Sequence, residues 1–198
     1  MPHRYGITSK ENPSCKLFLE ICPDFLIDSE LAPSQFMNKY WGLYLSSRKN
    51  SNSMNGAIFE LLFSALLVNK RLTPFFIQST VAFVPNVRYD ILLYTSEHGP
   101  IGISLKTSLR ERYKQADLEA YVLKNVHRNS KSYIVTANES ESKSVNKKIK
   151  NGELLALDKV FFIGCIDELF EILSKLTLIL PPKVKIIAGT VINHGSIT

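Results

Sequence analysis

Residues 87–106 have the sequence VRYDILLYTSEHGPIGISLK, and this stretch decides the fold. Two apolar segments, residues 87–95 and 101–105, flank a Glu-His-Gly-Pro turn, which is typical of two β-strands joined as a hairpin. A long helix is predicted directly afterwards, over residues 109–127, because apolar residues recur there at helical spacing. They are Leu109, Tyr113, Ala116, Ala120 and Leu123. A hairpin followed by an amphipathic helix indicates an α/β protein.

The same alternation of helices and strands extends to both sides of the hairpin. Helices are predicted at residues 15–21, 33–44, 55–69, 167–175 and, unless that segment is a mobile arm, 138–152; strands are predicted at residues 75–84, 132–137, 159–164 and 183–188. We therefore expect an α/β fold with a central mixed β-sheet flanked by helices. A single domain over residues 1–198 is expected, with a helical part at about 1–70 and the sheet at about 71–198.

The composition excludes several classes of protein. Of the 198 residues, 45% are hydrophobic and 21% are charged, so the chain can bury a sizeable core and is not disordered. The chain contains no run of about 18 apolar residues, so no membrane-spanning helix is predicted. The N-terminus lacks the apolar run of a secretory signal. The three cysteines are an odd number without metal-type clustering, so we expect reduced thiols and a cytoplasmic protein.

Positive charge is concentrated at the end of the hairpin and in the following helix. The chain carries 24 Lys and Arg residues against 18 Asp and Glu residues, a formal net charge of +6. Most of this excess lies in residues 104–131, which contain seven basic and three acidic residues. Such a concentration is typical of a surface that binds phosphates, whereas a solvated helix face is the alternative interpretation.

Two residues of the hairpin suggest chemistry. Asp90 interrupts an apolar strand, and Lys106 ends the partner strand on the same face as Ser104, because side chains alternate along a strand. A buried carboxylate beside a lysine can hold a divalent cation and a water near a phosphate. On this pair alone, a structural ion pair at the sheet edge is the favoured alternative.

The residues that follow change this balance. The segment KTSLRERYKQ at residues 106–115 resembles a signature of type II restriction endonucleases of the PD-(D/E)xK superfamily, in the branch that recognises CCGG, CCNGG or CCWGG sites. In that branch the acid before the lysine is replaced, often by serine, and the carboxylate returns from the next helix. The resemblance covers about thirty residues, from Asp90 to Glu119. It departs from the superfamily at Tyr89, where proline is common.

The resemblance implies a restriction-endonuclease-like core and a catalytic set. Ser104 would be the replaced position and Glu119 the relocated acid. Asp90, Glu119 and an acid from an upstream helix, Glu60, would bind Mg²⁺, while Lys106 would orient or activate the attacking water. An exposed helix edge is the alternative for Glu60, although a glutamate in an apolar helical run needs a partner.

The same branch recognises its G·C pairs through an Arg-acid-Arg cluster, here Arg110, Glu111 and Arg112. An arginine fork fits O6 and N7 of guanine, and a carboxylate accepts from the N4 amino group of cytosine. Lys114 and Gln115 follow as further candidate DNA contacts. The alternative is a basic helix start with ordinary surface charge pairs.

These observations favour a Mg²⁺-dependent endonuclease that cuts double-stranded DNA at a short GC-containing palindrome as a homodimer. A structure-selective nuclease such as a junction resolvase, or a DNA-binding module without cleavage, are the alternatives. Trp41 is the single tryptophan. A core position is favoured for it over stacking on an extruded base. A companion DNA methyltransferase is also expected.

Overall fold

The computed structural model describes residues 5–7, 12–47, 51–81, 84–181 and 189–192. Its elements in chain order are helices α1 (Pro13–Ile21), α2 (Pro33–Ser46) and α3 (Asn52–Asn69), strands β1 (Phe75–Ser79), β2 (Tyr89–Thr95) and β3 (Gly99–Lys106), helix α4 (Arg112–Val126), strand β4 (Lys131–Thr136), helix α5 (Glu139–Lys150), strand β5 (Lys159–Phe162), helix α6 (Asp167–Ser174) and strand β6 (Thr190–Ile192). The strand predicted at 183–188 lies outside the described residues.

The strands form one six-stranded sheet in the order β5-β4-β3-β2-β1-β6. The pairs β3–β4 and β4–β5 are parallel, and the pairs β2–β3, β1–β2 and β1–β6 are antiparallel. The predicted hairpin is therefore β2–β3, at the centre of the sheet. The predicted fold class, α/β with a central mixed sheet and flanking helices, is confirmed.

Helices cover both faces of the sheet. Helices α1, α2, α3 and α6 pack on one face, where Ile91, Ile103 and Leu105 join their apolar side chains in the main core. Helices α4 and α5 lie on the other face, over smaller apolar clusters that contain Leu92 and Ile134. Apolar side chains on both faces explain why the central strands are nearly continuous hydrophobic runs.

Trp41 lies in the core formed by α2 and α3, where it is 7% exposed. Its ring centroid is 5.0 Å from that of Phe59 and 5.1 Å from that of Tyr44, which are favourable separations for aromatic packing. The core interpretation of Trp41 agrees with this placement.

Two boundaries differ from the predicted ones. Strand β1 ends at Ser79 rather than at residue 84, after Gln78 adopts a left-handed backbone with φ +50°. Helix α4 begins at Arg112 rather than at residue 109, because Leu109 and Arg110 form a turn in which the Arg112 N–H donates to the Leu109 carbonyl at 2.7 Å. Leu109 is nevertheless buried, as its place in the apolar pattern predicts.

Residues 138–152, for which a helix or a mobile arm was expected, contain the regular helix α5. The Asn138 side chain caps this helix by accepting a hydrogen bond from the Glu141 N–H at 3.1 Å. None of the helices in the described ranges has both the length and the apolar character required to cross a bilayer.

Candidate functional site

The candidate site is built around the Asp90 carboxylate, near the start of β2. The paired register of β2 with β3 runs from Thr95–Gly99 to Ile91–Ile103, so it ends at the residue that follows Asp90 in the chain. Beyond that point Asp90 Oδ2 accepts hydrogen bonds from the Leu105 N–H at 2.7 Å and from Lys106 Nζ at 2.8 Å. The carboxylate therefore fixes the end of β3 and holds the lysine beside itself. The predicted meeting of these two strands is observed.

Glu60 joins this pair through a residue that the sequence analysis did not identify. The Gln78 side-chain amide donates to Glu60 Oε2 at 2.9 Å and to Asp90 Oδ1 at 3.0 Å. Glu60 comes from the middle of α3, and Gln78 comes from the end of β1. The amide therefore lies between two acids that would otherwise repel each other.

Burial and charge both act on Glu60. Burial, followed by the negative charge of Asp90, raises the pKa of Glu60 above its ordinary value. The hydrogen bond from Gln78 and the positive charges of Lys106 and Arg88 oppose this rise without cancelling it. Glu60 is thus an acid held in an unfavourable environment beside another acid, which is typical of functional carboxylates.

Glu119 approaches the same place from α4. Burial raises its pKa; the hydrogen bond from Gln115 and the charge of Lys106 oppose the rise, and the charge of Asp90 adds to it. The Gln115 side-chain amide donates to Glu119 Oε1 at 2.8 Å. Gln115, predicted to contact DNA, is therefore bonded to Glu119 here and orients that carboxylate.

Tyr89 anchors α4 against the strand that carries Asp90. Its hydroxyl donates to the backbone carbonyl of Glu119 at 3.3 Å. The ring lies where a side chain on Gly102 would be, since a Cβ there would come within 2.2 Å of it. Tyr89, which stands where proline is common in the superfamily, thus tethers Glu119 to the sheet.

Ser104 is 4% exposed and lies two residues before Lys106 on β3, opposite Ile134 of β4. A serine hydroxyl carries no charge at neutral pH, so this position contributes no acid to the cluster. The negative charge near Lys106 comes instead from β2, α3 and α4, through Asp90, Glu60 and Glu119.

The carboxylates of this cluster are suitable ligands for a divalent cation, but their arrangement in the described residues is not a ready three-residue metal site. Mg²⁺ prefers oxygen ligands and is commonly held by one or two carboxylates with waters and substrate phosphates. Asp90 and Glu60 share one amide donor and suit that pattern. Across residues 5–7, 12–47, 51–81, 84–181 and 189–192, no three His, Cys, Asp or Glu residues form a ready metal cluster. Glu119 would have to move closer to Asp90 and Glu60 to become a third ligand.

The β3–α4 connection, residues 107–111, continues directly from Lys106. Arg110 has a left-handed backbone with φ +43° and an exposed side chain. Glu111 and Lys114 form an exposed ion pair at 2.5 Å across the first turn of α4. Exposed pairs of this kind contribute little to stability, so both side chains are free to exchange their partner for a ligand.

A second residue missed by the sequence analysis, Glu141, holds this connection. Its carboxylate accepts hydrogen bonds from the backbone N–H groups of Leu109 and Arg110 and from the Ser108 hydroxyl. Lys124, by contrast, is engaged elsewhere: its Nζ bonds the Ala156 carbonyl and pairs with Asp158. Its charge therefore serves the fold.

The six-stranded mixed sheet with helices on both faces matches the fold of a restriction endonuclease among the solved structures. Among solved structures the chain is similar to the restriction endonuclease PspGI in complex with substrate DNA, with 19% identity and a TM-score of 0.56 over 89% of this chain and 87% of that chain. No protein-family model and no curated protein matches the chain.

Proposed function

We propose that the protein is a Mg²⁺-dependent type II restriction endonuclease that cuts double-stranded DNA at a palindrome with CC and GG half-sites. The observation that carries the proposal is the bonding of Asp90 to Lys106 and, through Gln78, to Glu60, immediately before the Arg110-Glu111-Arg112 sequence. An acidic cluster in a basic DNA-binding surface repels phosphate unless a cation intervenes. A cleaving enzyme gives this cluster a role, whereas a DNA-binding module does not.

Each acid of the cluster has a place in the proposed chemistry. Asp90 and Glu60 hold the metal ion, and Glu119 supplies the third carboxylate that position 104 lacks. When bound, Mg²⁺ supplies positive charge to the phosphate oxygens and lowers the pKa of a bound water. Lys106 orients the attacking water and stabilises the negative charge that develops on the phosphate.

The proposed substrate recognition follows from the β3–α4 connection and the first turn of α4. Arg110 and Arg112 bind guanines in the major groove, and Glu111 accepts from the paired cytosine amino groups. Lys114 contributes a phosphate contact once it leaves Glu111. A palindromic site implies a twofold homodimer in which each subunit binds one half-site. The similarity to PspGI bound to substrate DNA supports DNA as the partner.

Plasmid digestion tests this proposal. The purified protein is incubated with supercoiled plasmid in Mg²⁺ and in EDTA, and the ends of the products are sequenced. We expect linear fragments in Mg²⁺ and none in EDTA. Every cut should fall in the same palindromic sequence, which should contain CC and GG. The matched control is Asp90→Asn, which keeps the size of the side chain and removes its charge.

Two results would reject the proposal. Cleavage restricted to four-way junctions or to random positions would favour a structure-selective nuclease. Sequence-specific binding of intact plasmid, with no cutting in Mg²⁺ or Mn²⁺, would identify a DNA-binding module instead.

A further inference from the structure

Glu141 uses both carboxylate oxygens to hold the β3–α4 connection. Oε2 accepts from the Leu109 N–H at 2.7 Å, and Oε1 accepts from the Arg110 N–H at 3.1 Å and the Ser108 hydroxyl at 3.3 Å. Three successive residues of the connection thus donate to one side chain from another element. Hydrogen bonds to a charged acceptor are about twice as strong as neutral ones.

These bonds fall on the residue whose backbone most needs support. Arg110 has φ +43°, a left-handed conformation that a non-glycine residue adopts at a cost and keeps only when its surroundings enforce it. The turn is completed by the Arg112 N–H, which donates to the Leu109 carbonyl at 2.7 Å. The direction in which Arg110 and Arg112 leave the backbone therefore depends on a turn that Glu141 holds.

Glu141 is itself fixed to the sheet. It lies in the first turn of α5, where its N–H donates to the capping side chain of Asn138. The next residue, Ser142, is buried and donates to the Val160 carbonyl at 3.2 Å. Helix α5 directly follows β4, which pairs in parallel with β3 up to the Lys106–Thr136 register position. The carboxylate is thus presented from a rigid element beside the strand that ends at Lys106.

The carboxylate is held in its charged form. Burial alone would raise the pKa of Glu141, but the hydrogen bonds from Leu109, Arg110 and Ser108 outweigh it, and the net pKa lies below the ordinary value. Glu141 therefore remains an acceptor with two charged oxygens throughout the neutral pH range.

We infer that Glu141 is a positioning residue for sequence specificity: it does not contact the DNA bases, and it fixes the turn that aims the Arg110 and Arg112 side chains. This inference rests on the proposed recognition of DNA by those arginines. The loss of Glu141 would loosen the geometry of both arginines at once while leaving the phosphate-binding charge almost unchanged.

The chain offers a matched control on the same helix turn. Glu139 is also acidic and also lies in the first turn of α5, so it interacts equally with the helix dipole. Its side chain is exposed and pairs with Lys143 at 2.6 Å, without a hydrogen bond to the β3–α4 connection. The variants Glu139→Gln and Glu141→Gln thus remove the same charge, and only the second alters the turn.

The test compares Glu141→Gln, Glu139→Gln and wild type. Glutamine has the size of glutamate but offers one acceptor oxygen, so its NH₂ group would face either the Leu109 N–H or the Arg110 N–H. The dissociation constants of two duplexes are measured in Ca²⁺: one carries the site mapped from the wild-type cut ends, and the other has one C·G pair of that site reversed. Hydrogen exchange of residues 108–112 is measured without DNA.

We expect Glu141→Gln to lose about tenfold or more of the discrimination between the two duplexes, which is the discrimination of one bidentate contact. Binding of the reversed duplex and the melting temperature should change much less. The Leu109 and Arg110 amides should exchange faster than in wild type. Glu139→Gln should match wild type in all these measurements. The shorter Glu141→Asp, which keeps the single charge and both acceptor oxygens, should fall between wild type and Glu141→Gln.

Undiminished discrimination in Glu141→Gln would overturn the inference, as would an equal loss of affinity for both duplexes. If Glu141→Gln does not fold, Glu141→Asp decides: wild-type discrimination in that variant would overturn the inference as well. Failure of the proposed function is recognised separately, because wild-type protein would then give no cut site at a palindrome with CC and GG, whereas amide exchange would still report whether Glu141 holds the turn.

Discussion

The Nζ atom of Lys106 lies 2.8 Å from Oδ2 of Asp90. The same oxygen also accepts from the Leu105 N–H, so Asp90 is bonded to both the backbone and the side chain at the end of β3. The Lys106 side chain is still 28% exposed, whereas that of Asp90 is 12% exposed. Asp90 therefore holds the Lys106 side chain in place while leaving it accessible from solvent, so a phosphate could reach it.

Asp90→Asn and Lys106→Ala should each abolish cleavage while leaving specific DNA binding largely intact. In the proposed mechanism Asp90 holds the metal ion, Lys106 acts on the water and the phosphate, and neither contacts the bases, so their loss should remove chemistry rather than affinity. We expect a loss of about 10³-fold or more in single-turnover rate, as for one essential electrostatic group. Binding is measured by gel shift in Ca²⁺. A rate within a few fold of wild type would exclude that residue from the active site.

Variants of Glu119 test whether this residue supplies the carboxylate that position 104 lacks. Glu119→Ala should be inactive, because Asp90 and Glu60 would then lack the third carboxylate. Adding Ser104→Glu to Glu119→Ala should recover part of the cleavage rate, since the new side chain leaves β3 on the same face as Lys106. Gln115→Ala is the matched control: it releases Glu119 without removing its charge. Full activity of Glu119→Ala would reject the relocation.

Gln78 should stabilise the metal-free protein by separating two acids. Gln78→Ala keeps the Cβ, and thus the backbone strain, but removes the amide that both Glu60 and Asp90 accept from. We expect a loss of about 1.5–3 kcal/mol in the free energy of unfolding, the usual range for hydrogen bonds to charged groups. Mg²⁺ should restore part of this loss by replacing the amide between the acids. Urea unfolding in Mg²⁺ and in EDTA measures both effects; an equal loss in the two buffers would contradict this role.

Glu60 should make stability depend on pH. Its folded-state pKa is raised above 4.5, so folding is favoured by the protonated form, and that advantage is present below 4.5 and is lost as the pH rises through the folded pKa. At neutral pH the charged Glu60 therefore opposes folding. Without metal, Glu60→Gln should be more stable than wild type at pH 7, and the difference should vanish below pH 4.5. Urea unfolding in EDTA over this pH range measures it; greater stability of wild type at pH 7 would refute the assignment.

The sequence predicted the parts of the site that follow from strand periodicity. The Glu-His-Gly-Pro turn placed β2 beside β3, and this pairing brings Asp90 to Lys106. Glu60 was identified from the family resemblance and because an acid in an apolar helical run needs a partner, and its partner is the Gln78 amide. These inferences succeed because they depend on local spacing and on the cost of burying a charge.

The residues that were missed depend on tertiary contacts that no local pattern encodes. In the sequence, Gln78 is an ordinary polar residue near a strand end. Its left-handed backbone could not be predicted, because the position is not occupied by glycine or asparagine, the residues that usually mark this conformation. Glu141 lies in a segment rich in Lys and Ser, where an acid predicts only a solvated helix. The start of α4 was misplaced for the same reason, because the Glu141 contacts hold Leu109 and Arg110 in a turn although Leu109 fits the helical spacing.

The proposed recognition of G·C pairs provides the last prediction. Glu111→Ala should weaken binding of the cognate duplex without improving the fit to any other base pair, because it removes an acceptor for cytosine N4 and creates no new contact. Each bidentate contact contributes about 1–3 kcal/mol of discrimination.

Lys114→Ala removes the exposed partner of Glu111 and should weaken cognate and non-cognate duplexes alike. It should also reduce the slope of log K against log salt by about 0.9, the value for one phosphate contact. Binding titrations at four salt concentrations distinguish the two variants. A uniform loss for Glu111→Ala, or a base-dependent loss for Lys114→Ala, would mean that these two neighbouring side chains have the opposite roles.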